Sequence, residues 1–240
     1  MSLAVALILL LGTGLSGFGS ASPLVHAQDA DGAGPIVLEE FDNLENLRAS
    51  HARANSVELS LVSRPETIYY GHHAVKLSYD FIGQPDTSAA YVNFYNPYGT
   101  RGRAIPGKPR KLGVWVYGNQ NNNWLRAAVA DGSDKALPAL DFTSSSGFNW
   151  QGWKYVTTDV PQNIQWPLKL NQIYMAATKA ENKNSGAIYF DRLSAIYSSS
   201  PIHHLDIVAA ADAAREQPSG SSGCDAAKAR LPSGSRAAFN

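Results

Sequence analysis

Apolar and polar residues alternate strictly from Val75 to Phe81, within the segment His73 to Phe81 that reads HAVKLSYDF. Successive side chains of a β-strand point to opposite faces of its sheet, so this pattern gives one apolar face and one polar face. Residues Ser56 to Val62 repeat the alternation through Val57, Leu59 and Leu61. Both segments are therefore predicted to be β-strands with one buried and one solvated face.

Further strands are predicted where short runs rich in β-branched and aromatic residues lie between turn-forming residues. No amphipathic helical pattern interrupts the series, which favours an antiparallel arrangement. About nine short strands of this kind predict an all-β fold, an antiparallel β-sandwich of the jelly-roll type. The further segments are Ile36 to Phe41, Ala89 to Tyr95, Lys111 to Tyr117, Trp124 to Ala130, Trp153 to Asp159, Gln172 to Thr178 and Ala187 to Tyr197.

The two ends of the chain differ in composition from its middle. An apolar run near the start is followed by Val25-His26-Ala27, which has the small-x-small pattern of a signal-peptidase site. The run is shorter than the roughly 20 apolar residues that span a bilayer, so no stable membrane span is predicted. We predict an export signal at residues 1–27, a linker at 28–35, the sandwich module at 36–198 and a mostly disordered tail with a short helix at 199–240. The protein is accordingly expected to be secreted or to lie on the cell surface.

Charge and cysteine content narrow the function classes. Lysine and arginine together number 20, as do aspartate and glutamate, so the chain lacks the excess of positive charge that gathers phosphate backbones. Nucleic acid is therefore excluded as an expected partner. Cys224 is the only cysteine in the sequence, so no intramolecular disulfide can form.

Two predicted strands place aromatic side chains opposite their aliphatic ones. In the strand that contains Trp115 and Tyr117, aliphatic residues occupy the alternate positions, and the next strand has the same alternation around Trp124 and Arg126. If the aliphatic residues face the interior, the aromatic rings and the guanidinium face outward. A sugar presents an apolar C–H face and a rim of hydroxyls, which suits exposed aromatic rings surrounded by polar groups. These four side chains are predicted to form one shared outer face that binds polysaccharide or another glycan.

The asparagine-rich turn between these two strands supplies the polar groups of the predicted site. Asn121 and Asn123 are expected to form a rim of amides around the rings. The alternative is that the tryptophans are ordinary core residues, because tryptophan is usually largely buried. In that case the module is a structural spacer or an interaction domain of an extracellular assembly.

Three strings of the sequence carry a resemblance to a known family. KLGVWVYGNQNNNWLRAAVADG, NWQGWKYVTTDVP and PLKLNQIYMAATKAENKNSGAIYFDRLSAIY resemble the β-sandwich module attached to bacterial phosphodiester glycosidases and other extracellular enzymes. More broadly, they are similar to carbohydrate-binding modules of the galactose-binding-like jelly-roll type. The resemblance implies a non-catalytic role beside an enzyme domain. No such domain precedes the module in this sequence, so the chain is expected to be part of a longer protein.

Acidic residues at the ends of the module suggest a structural calcium ion. Glu40 and Asp42 end the first predicted strand, and Asp191 lies in the last one, so the three become neighbours if the terminal strands pair. A calcium ion relieves the repulsion between carboxylates by accepting several oxygens as ligands. The resemblance implies the same ion, since related jelly-roll modules often hold calcium near such strand ends. The alternatives are solvated edge charges, or a glycoside hydrolase whose acid and base are among these residues.

Overall fold

Twelve β-strands make up the computed structural model, which describes residues 35–197. Each predicted strand is present, with bounds that differ from the prediction by a few residues at most. Three strands were not predicted, namely β2 and the two-residue strands β6 and β9. The strands are β1 (Ile36–Glu39), β2 (Leu47–Ala52), β3 (Ser56–Val62), β4 (Ala74–Asp80), β5 (Ser88–Phe94), β6 (Arg103–Ala104), β7 (Lys111–Asn119), β8 (Trp124–Ala130), β9 (Leu140–Asp141), β10 (Gln151–Asp159), β11 (Lys169–Ala177) and β12 (Ser185–Ile196), with one turn of 3-10 helix at Ala180–Asn182 before β12.

The strands form two six-stranded sheets with antiparallel pairing throughout. The first sheet has the order β10-β7-β12-β4-β3, and β1 pairs with the C-terminal half of β12. The second sheet has the order β2-β5-β11-β8-β9, and β6 pairs with β11. The predicted all-β antiparallel sandwich is thus confirmed.

Aliphatic side chains fill the space between the two sheets. Leu112 and Val114 of β7 are fully buried there, as are Leu125 and Ala127 of β8. The strand parity read from the sequence is therefore correct for both strands. Burial of such side chains stabilises the sandwich by roughly 25 cal/mol for each Å² of apolar surface removed from water.

The turn between β7 and β8 carries the chain from the first sheet to the second. Gln120 and Asn122 both adopt positive φ, near 58°, a backbone conformation that asparagine tolerates better than most residues. The backbone N–H of Asn122 donates to the carbonyl of Phe148, and the N–H of Phe148 donates to the carbonyl of Asn123. Because of this crossing, strands adjacent in sequence lie on opposite sides of the molecule.

Several sequence predictions fall outside the described residues. The export signal at 1–27, most of the linker and the tail at 199–240 are among them. Within residues 35–197, no helix is long and apolar enough to cross a membrane.

Candidate functional site

The outer face of the second sheet carries one continuous row of side chains across five strands. Cross-strand register aligns Ser50 with Tyr91, Tyr91 with Tyr174, Tyr174 with Arg126 and Arg126 with Asp141. We call this set of five residues the tyrosine row. Its central members point away from the core because their strand neighbours are buried between the sheets. The row therefore combines two aromatic rings with a hydroxyl and a charged pair.

The rings and the charged pair of the tyrosine row are held in fixed positions. The ring centroids of Tyr91 and Tyr174 are 5.4 Å apart with an interplanar angle of 42°, and both residues are half-buried. Arg126 Nε donates to Asp141 Oδ1 at 2.6 Å, and its guanidinium carbon lies 4.0 Å from the centroid of the Trp124 ring. The Tyr174 hydroxyl is protonated at neutral pH, as an ordinary tyrosine is, and can donate a hydrogen bond, and burial raises its pKa further.

Small residues lie on one side of the tyrosine row. Ala52, Ala89 and Ala176 form the next row along the strands, which ends at Trp124. Because alanine is short, no side chain of these three rises to the height of the tyrosine rings. The indole N–H of Trp124 donates to the carbonyl of Thr143 at 2.7 Å, which fixes the indole at this end of the sheet.

Polar residues lie on the other side of the tyrosine row. Asn93 is buried between Arg48 and Gln172 of the neighbouring strands. Its amide nitrogen donates to the carbonyl of Arg48 at 3.0 Å and to Ser50 Oγ at 2.8 Å. Its amide oxygen accepts from Arg101 Nη2 at 3.0 Å. The guanidinium of Arg101 is thereby placed beside this amide. That of Arg48 turns toward the start of β2, where it donates to the carbonyls of Leu44 and Leu47 and lies 6.0 Å from the centroid of the Tyr95 ring.

The predicted shared face of four residues is wrong. Trp115 and Tyr117 lie on β7 in the first sheet, whereas Trp124 and Arg126 lie on β8 in the second. All four point away from the core, as strand parity requires, but the two pairs lie on opposite sides of the sandwich. The crossing of the β7–β8 turn between sheets is the physical reason.

Residues 63–73, which connect β3 to β4 and which we call the cover segment, interact with the outer face of the first sheet. The Tyr69 ring stacks on Trp115 at 3.7 Å between centroids and 18° between planes. The indole N–H of Trp153 donates to Thr67 Oγ1 at 2.9 Å. Glu66 accepts from Lys76 Nζ at 2.9 Å and from the Tyr189 hydroxyl at 3.2 Å. Aromatic stacking and polar contacts therefore hold this segment on the sheet.

The cover segment determines the exposure of the rings beneath it. Trp115 is only 7% exposed, so the prediction that it presents an open surface is wrong. Tyr117 is half-buried between two other rings, with centroids 5.6 Å from Trp153 and 5.7 Å from Tyr189. These contacts make the first face an aromatic packing layer outside the main core.

The predicted rim of amides is also wrong, because Asn121 and Asn123 are buried. Asn121 Nδ2 donates to Asn119 Oδ1 at 2.5 Å, and Asn121 Oδ1 accepts from the backbone N–H of Asn123 at 2.8 Å. Asn119 Nδ2 in turn lies 3.4 Å from the hydroxyl of Tyr79, a core residue. Asn119 and Asn121 thus stabilise the crossing turn from inside the sandwich, since buried polar groups require such partners. The side-chain amide of the buried Asn123 has no hydrogen-bond partner among the described residues.

The condition for the predicted calcium site is met, because the terminal strands β1 and β12 pair, but the three acidic residues do not assemble around one point. Glu40 Oε2 lies 3.1 Å from Arg192 Nε, and Asp42 Oδ1 lies 3.8 Å from His73 Nδ1. Glu40 and Asp42 line a pocket of about 610 Å³ beside β1. Among residues 35–197 no group of three or more His, Cys, Asp or Glu side chains is arranged to hold a metal ion. Arginine, rather than a ligand set for calcium, stands beside Glu40, and the calcium ion stays a prediction that metal analysis of the purified protein can test.

Asp191 anchors the cover segment from below. It is 1% exposed, and its Oδ2 accepts the backbone N–H groups of Tyr69 at 3.1 Å and Tyr70 at 2.9 Å. The guanidinium carbon of the buried Arg192 lies 3.3 Å from the centroid of the Tyr70 ring. Burial raises the pKa of Asp191 to about 7 against the opposing effect of the two N–H donors. This carboxyl group therefore positions a loop and does not face an open cleft.

Tyr91 and Tyr174 were not among the predicted site residues. Each stands between two aliphatic or small residues in the sequence, Tyr91 in AAYVNFY and Tyr174 in QIYMAAT. The same parity argument that selected Trp115 would have turned both tyrosines outward. The two rings meet only because β5 and β11 are neighbours in the sheet, and nothing in the sequence indicates that these two strands pair.

Comparisons with known proteins give distant matches. No family model matches the sequence. A flagellar filament outer layer-like protein of Brachyspira hyodysenteriae is 28% identical over 100 residues, which cover 38% of this chain and 44% of that protein. The chain therefore spans less than half the length of the curated relative it matches.

Three solved structures of carbohydrate-binding modules are similar at low sequence identity. One, described for the promiscuous specificity of modules from the β-sandwich superfamily, has a TM-score of 0.49 and 11% identity, covering 68% of this chain and 62% of that chain. The family 11 module of the cellulase Lic26A-Cel5E of Clostridium thermocellum has a TM-score of 0.48 and 14% identity, covering 72% and 98%. The C-terminal family 22 module of Clostridium thermocellum Xyn10B has a TM-score of 0.37 and 14% identity, covering 73% and 99%.

Proposed function

We propose that residues 36–197 are a non-catalytic carbohydrate-binding module whose glycan surface is the outer face of the second sheet. The observation that supports this most strongly is the tyrosine row, in which two adjacent rings are flanked by Ser50 on one side and by the Arg126–Asp141 pair on the other. Two of the residues selected from the sequence, Trp124 and Arg126, belong to this face. The proposal keeps the half of the predicted site that lies on the second sheet and leaves out Trp115 and Tyr117, which lie on the first.

The chemistry of the tyrosine row suits a sugar. Aromatic rings such as Tyr91 and Tyr174 receive the apolar C–H face of a pyranose, and their hydroxyls hydrogen-bond at its edge. Arg126 offers a hydrogen-bond donor and Asp141 an acceptor to the hydroxyls of the sugar. Because each of these two side chains already has a partner in the protein, little conformational entropy is lost when glycan binds.

Isothermal titration calorimetry with xylan, mixed-linkage β-glucan, galactan and polygalacturonate tests the proposal. We expect Tyr174→Ala to weaken binding of the tightest ligand by about tenfold, as removal of a central aromatic contact does. Tyr117→Ala is the matched control, since it removes the same half-buried side chain from the first sheet. Weakened binding in Tyr117→Ala with unchanged binding in Tyr174→Ala would contradict the proposed site.

We also propose that the module acts outside the cell beside an enzyme domain of the phosphodiester glycosidase type. The export signal predicted at residues 1–27 supports the location, and the resemblance of the sequence supports the partner. Mass spectrometry of protein recovered from culture medium is expected to give Gln28 as the first residue. An intact Met1 in exported protein would contradict cleavage at this site.

A structural role in an extracellular assembly is the second candidate. Two observations favour it, namely the packing layer on the first face and the partial match to a flagellar filament outer layer-like protein. Absence of binding to all four polysaccharides, together with concentration-dependent self-association in analytical ultracentrifugation, would support this alternative and contradict glycan binding.

A further inference from the structure

Two arginines beside the tyrosine row bear on which glycans the second sheet could select. Arg48 lies on β2 opposite Asn93, and Arg101 reaches the same asparagine from the loop after β5. Outward positions two residues apart on a strand are about 7 Å apart, so this polar row runs alongside the tyrosine row. A sugar lying on Tyr91 or Tyr174 would therefore have its edge near Arg101, whose guanidinium contacts Asn93 and Gln172 of this polar row. The guanidinium of Arg48 lies further along the face, 6.0 Å from the Tyr95 ring, within reach of the next sugar of a chain.

Both arginines have neutral partners. Arg48 Nη1 donates to the backbone carbonyl of Leu47 at 2.6 Å, and Arg101 Nη2 donates to the side-chain oxygens of Asn93 and Gln172. Within residues 35–197, neither guanidinium forms an ion pair with a carboxylate, in contrast to Arg126, which pairs with Asp141. The face therefore carries positive charge that its own acidic residues do not balance, although the whole chain is neutral.

The hydrogen bonds of Arg101 hold its charge in place. Asn93 Oδ1 accepts from Arg101, while the amide nitrogen of Asn93 is held by two further acceptors on β2. A guanidinium has five N–H donors in a planar fork, so donors beyond those used within the protein can bind a carboxylate. Hydrogen bonds between ionised groups are about twice as strong as neutral ones.

We propose that the outer face of the second sheet selects acidic glycans, whose uronic acid carboxylates bind Arg101 and Arg48 while the sugar rings lie on Tyr91 and Tyr174. The proposal rests on the proposed function, since it assigns the substrate class of the same face. Charge complementarity decides in favour of a uronic acid polymer over a neutral one. A neutral glycan would leave both guanidinium groups without an ionic partner.

Calorimetric titration with polygalacturonate and with its fully methyl-esterified form tests this directly, because the two polymers share a backbone and differ in charge. We expect polygalacturonate to bind about tenfold more tightly at low ionic strength, and this ratio to fall as sodium chloride is raised, since salt screens exposed charges. Arg101→Gln is expected to reduce the ratio about threefold, and the double variant Arg48→Gln/Arg101→Gln to reduce it close to one. Circular dichroism confirms that each variant is folded.

Lys154→Gln is the matched control, because it removes one positive charge from an exposed position on β10 of the first sheet. The affinity ratio is expected to stay unchanged in this variant. An equal reduction by Lys154→Gln and Arg101→Gln, or tight binding of dextran sulfate that Tyr174→Ala does not weaken, would show unspecific charge attraction and overturn the proposal.

The remaining outcomes separate the two proposals. Equal affinity for both polymers, with loss of binding in Tyr174→Ala, would overturn the acidic preference and leave the glycan face in place. Failure of both polymers and of the neutral panel to bind would overturn the proposed function itself.

Discussion

The two outer faces of the sandwich carry similar aromatic side chains in different surroundings. On the first sheet, Trp115 lies under the stacked ring of Tyr69 and is almost completely buried. On the second sheet, Tyr91 and Tyr174 stand side by side and each keeps part of its surface in solvent. An aromatic residue that points away from a core is therefore not necessarily exposed. Whether a connecting segment folds back over the sheet decides between a packing layer and a binding surface.

The largest expected difference between the faces is in stability. Trp115→Ala removes a buried indole and is expected to lower the free energy of unfolding by about 3–5 kcal/mol. Tyr174→Ala removes a half-buried ring and is expected to cost about 1 kcal/mol. Urea denaturation at 25 °C measures both, and equal losses would show that the two faces are not packed differently.

The pH dependence of stability is expected to come from the first face. Because the pKa of Asp191 is raised to about 7 in the folded protein, the folded state holds a proton that the unfolded state releases above its ordinary pKa near 3.8. The contribution to stability is therefore present at low pH and is lost as pH rises from about 4 to about 7. The variant Asp191→Asn lacks this dependence. From about pH 4 to about pH 7, the free energy of unfolding of the wild type is expected to fall by about 3 kcal/mol relative to that of the variant.

Denaturation of the wild type and of Asp191→Asn at a series of pH values measures this effect. Glu40 and Arg192, whose charges act on Asp191, are present in both proteins, so the two proteins differ only in the side chain at position 191. Curves that stay parallel between pH 4 and pH 7 would contradict a raised pKa.

Removal of the stacked ring should make the first face resemble the second. Tyr69→Ala is expected to lower the free energy of unfolding by about 1 kcal/mol more than the loss of buried apolar area does, because a stacked aromatic pair contributes about that much. The variant is also expected to show stronger acrylamide quenching of tryptophan fluorescence. Tyr98→Ala is the control, because Tyr98 is 93% exposed at the tip of a turn. Unchanged quenching in Tyr69→Ala would mean that the rest of the cover segment excludes solvent without this ring.

The smallest expected effect concerns the ion pair at the edge of the cover segment. Glu66→Gln weakens the contacts with Lys76 and Tyr189, and an exposed pair of this kind contributes at most about 1 kcal/mol. The effect should disappear in about 1 M salt, which screens the pair. Thermal unfolding at low and high ionic strength measures it, and a loss that salt does not change would indicate a role other than charge pairing.

Strand parity accounts for much of the fold that the sequence predicts. The alternation in β4 and β7 identified which side chains enter the core, because one side of each strand must be apolar. No comparable local pattern in the sequence indicates which of the two sheets a strand joins. The turn after β7 could equally have returned the chain to the same sheet as a hairpin, so the predicted union of Trp115 with Trp124 depended on information that a single strand does not contain.

The candidate site was harder to predict for the same reason. Tyr91 and Tyr174 are separated by more than 80 residues in the sequence and meet only through the pairing of β5 with β11. The cover segment has the proline, glycine and polar residues of an ordinary loop, so nothing in it indicates that Tyr69 stacks on a tryptophan. Asn121 and Asn123 resemble surface amides in sequence, yet the crossing turn directs them inward.

The most direct test of the glycan face is a titration followed by NMR of the tryptophan indole N–H groups in ¹⁵N-labelled protein, with each of the four polysaccharides. Trp124 lies at the edge of the proposed face, whereas Trp115 and Trp153 lie on the opposite sheet. We predict that a binding glycan shifts the indole signal of Trp124 and leaves those of Trp115 and Trp153 in place. Shifts confined to Trp115 and Trp153 would contradict the assignment of the glycan surface to the second sheet.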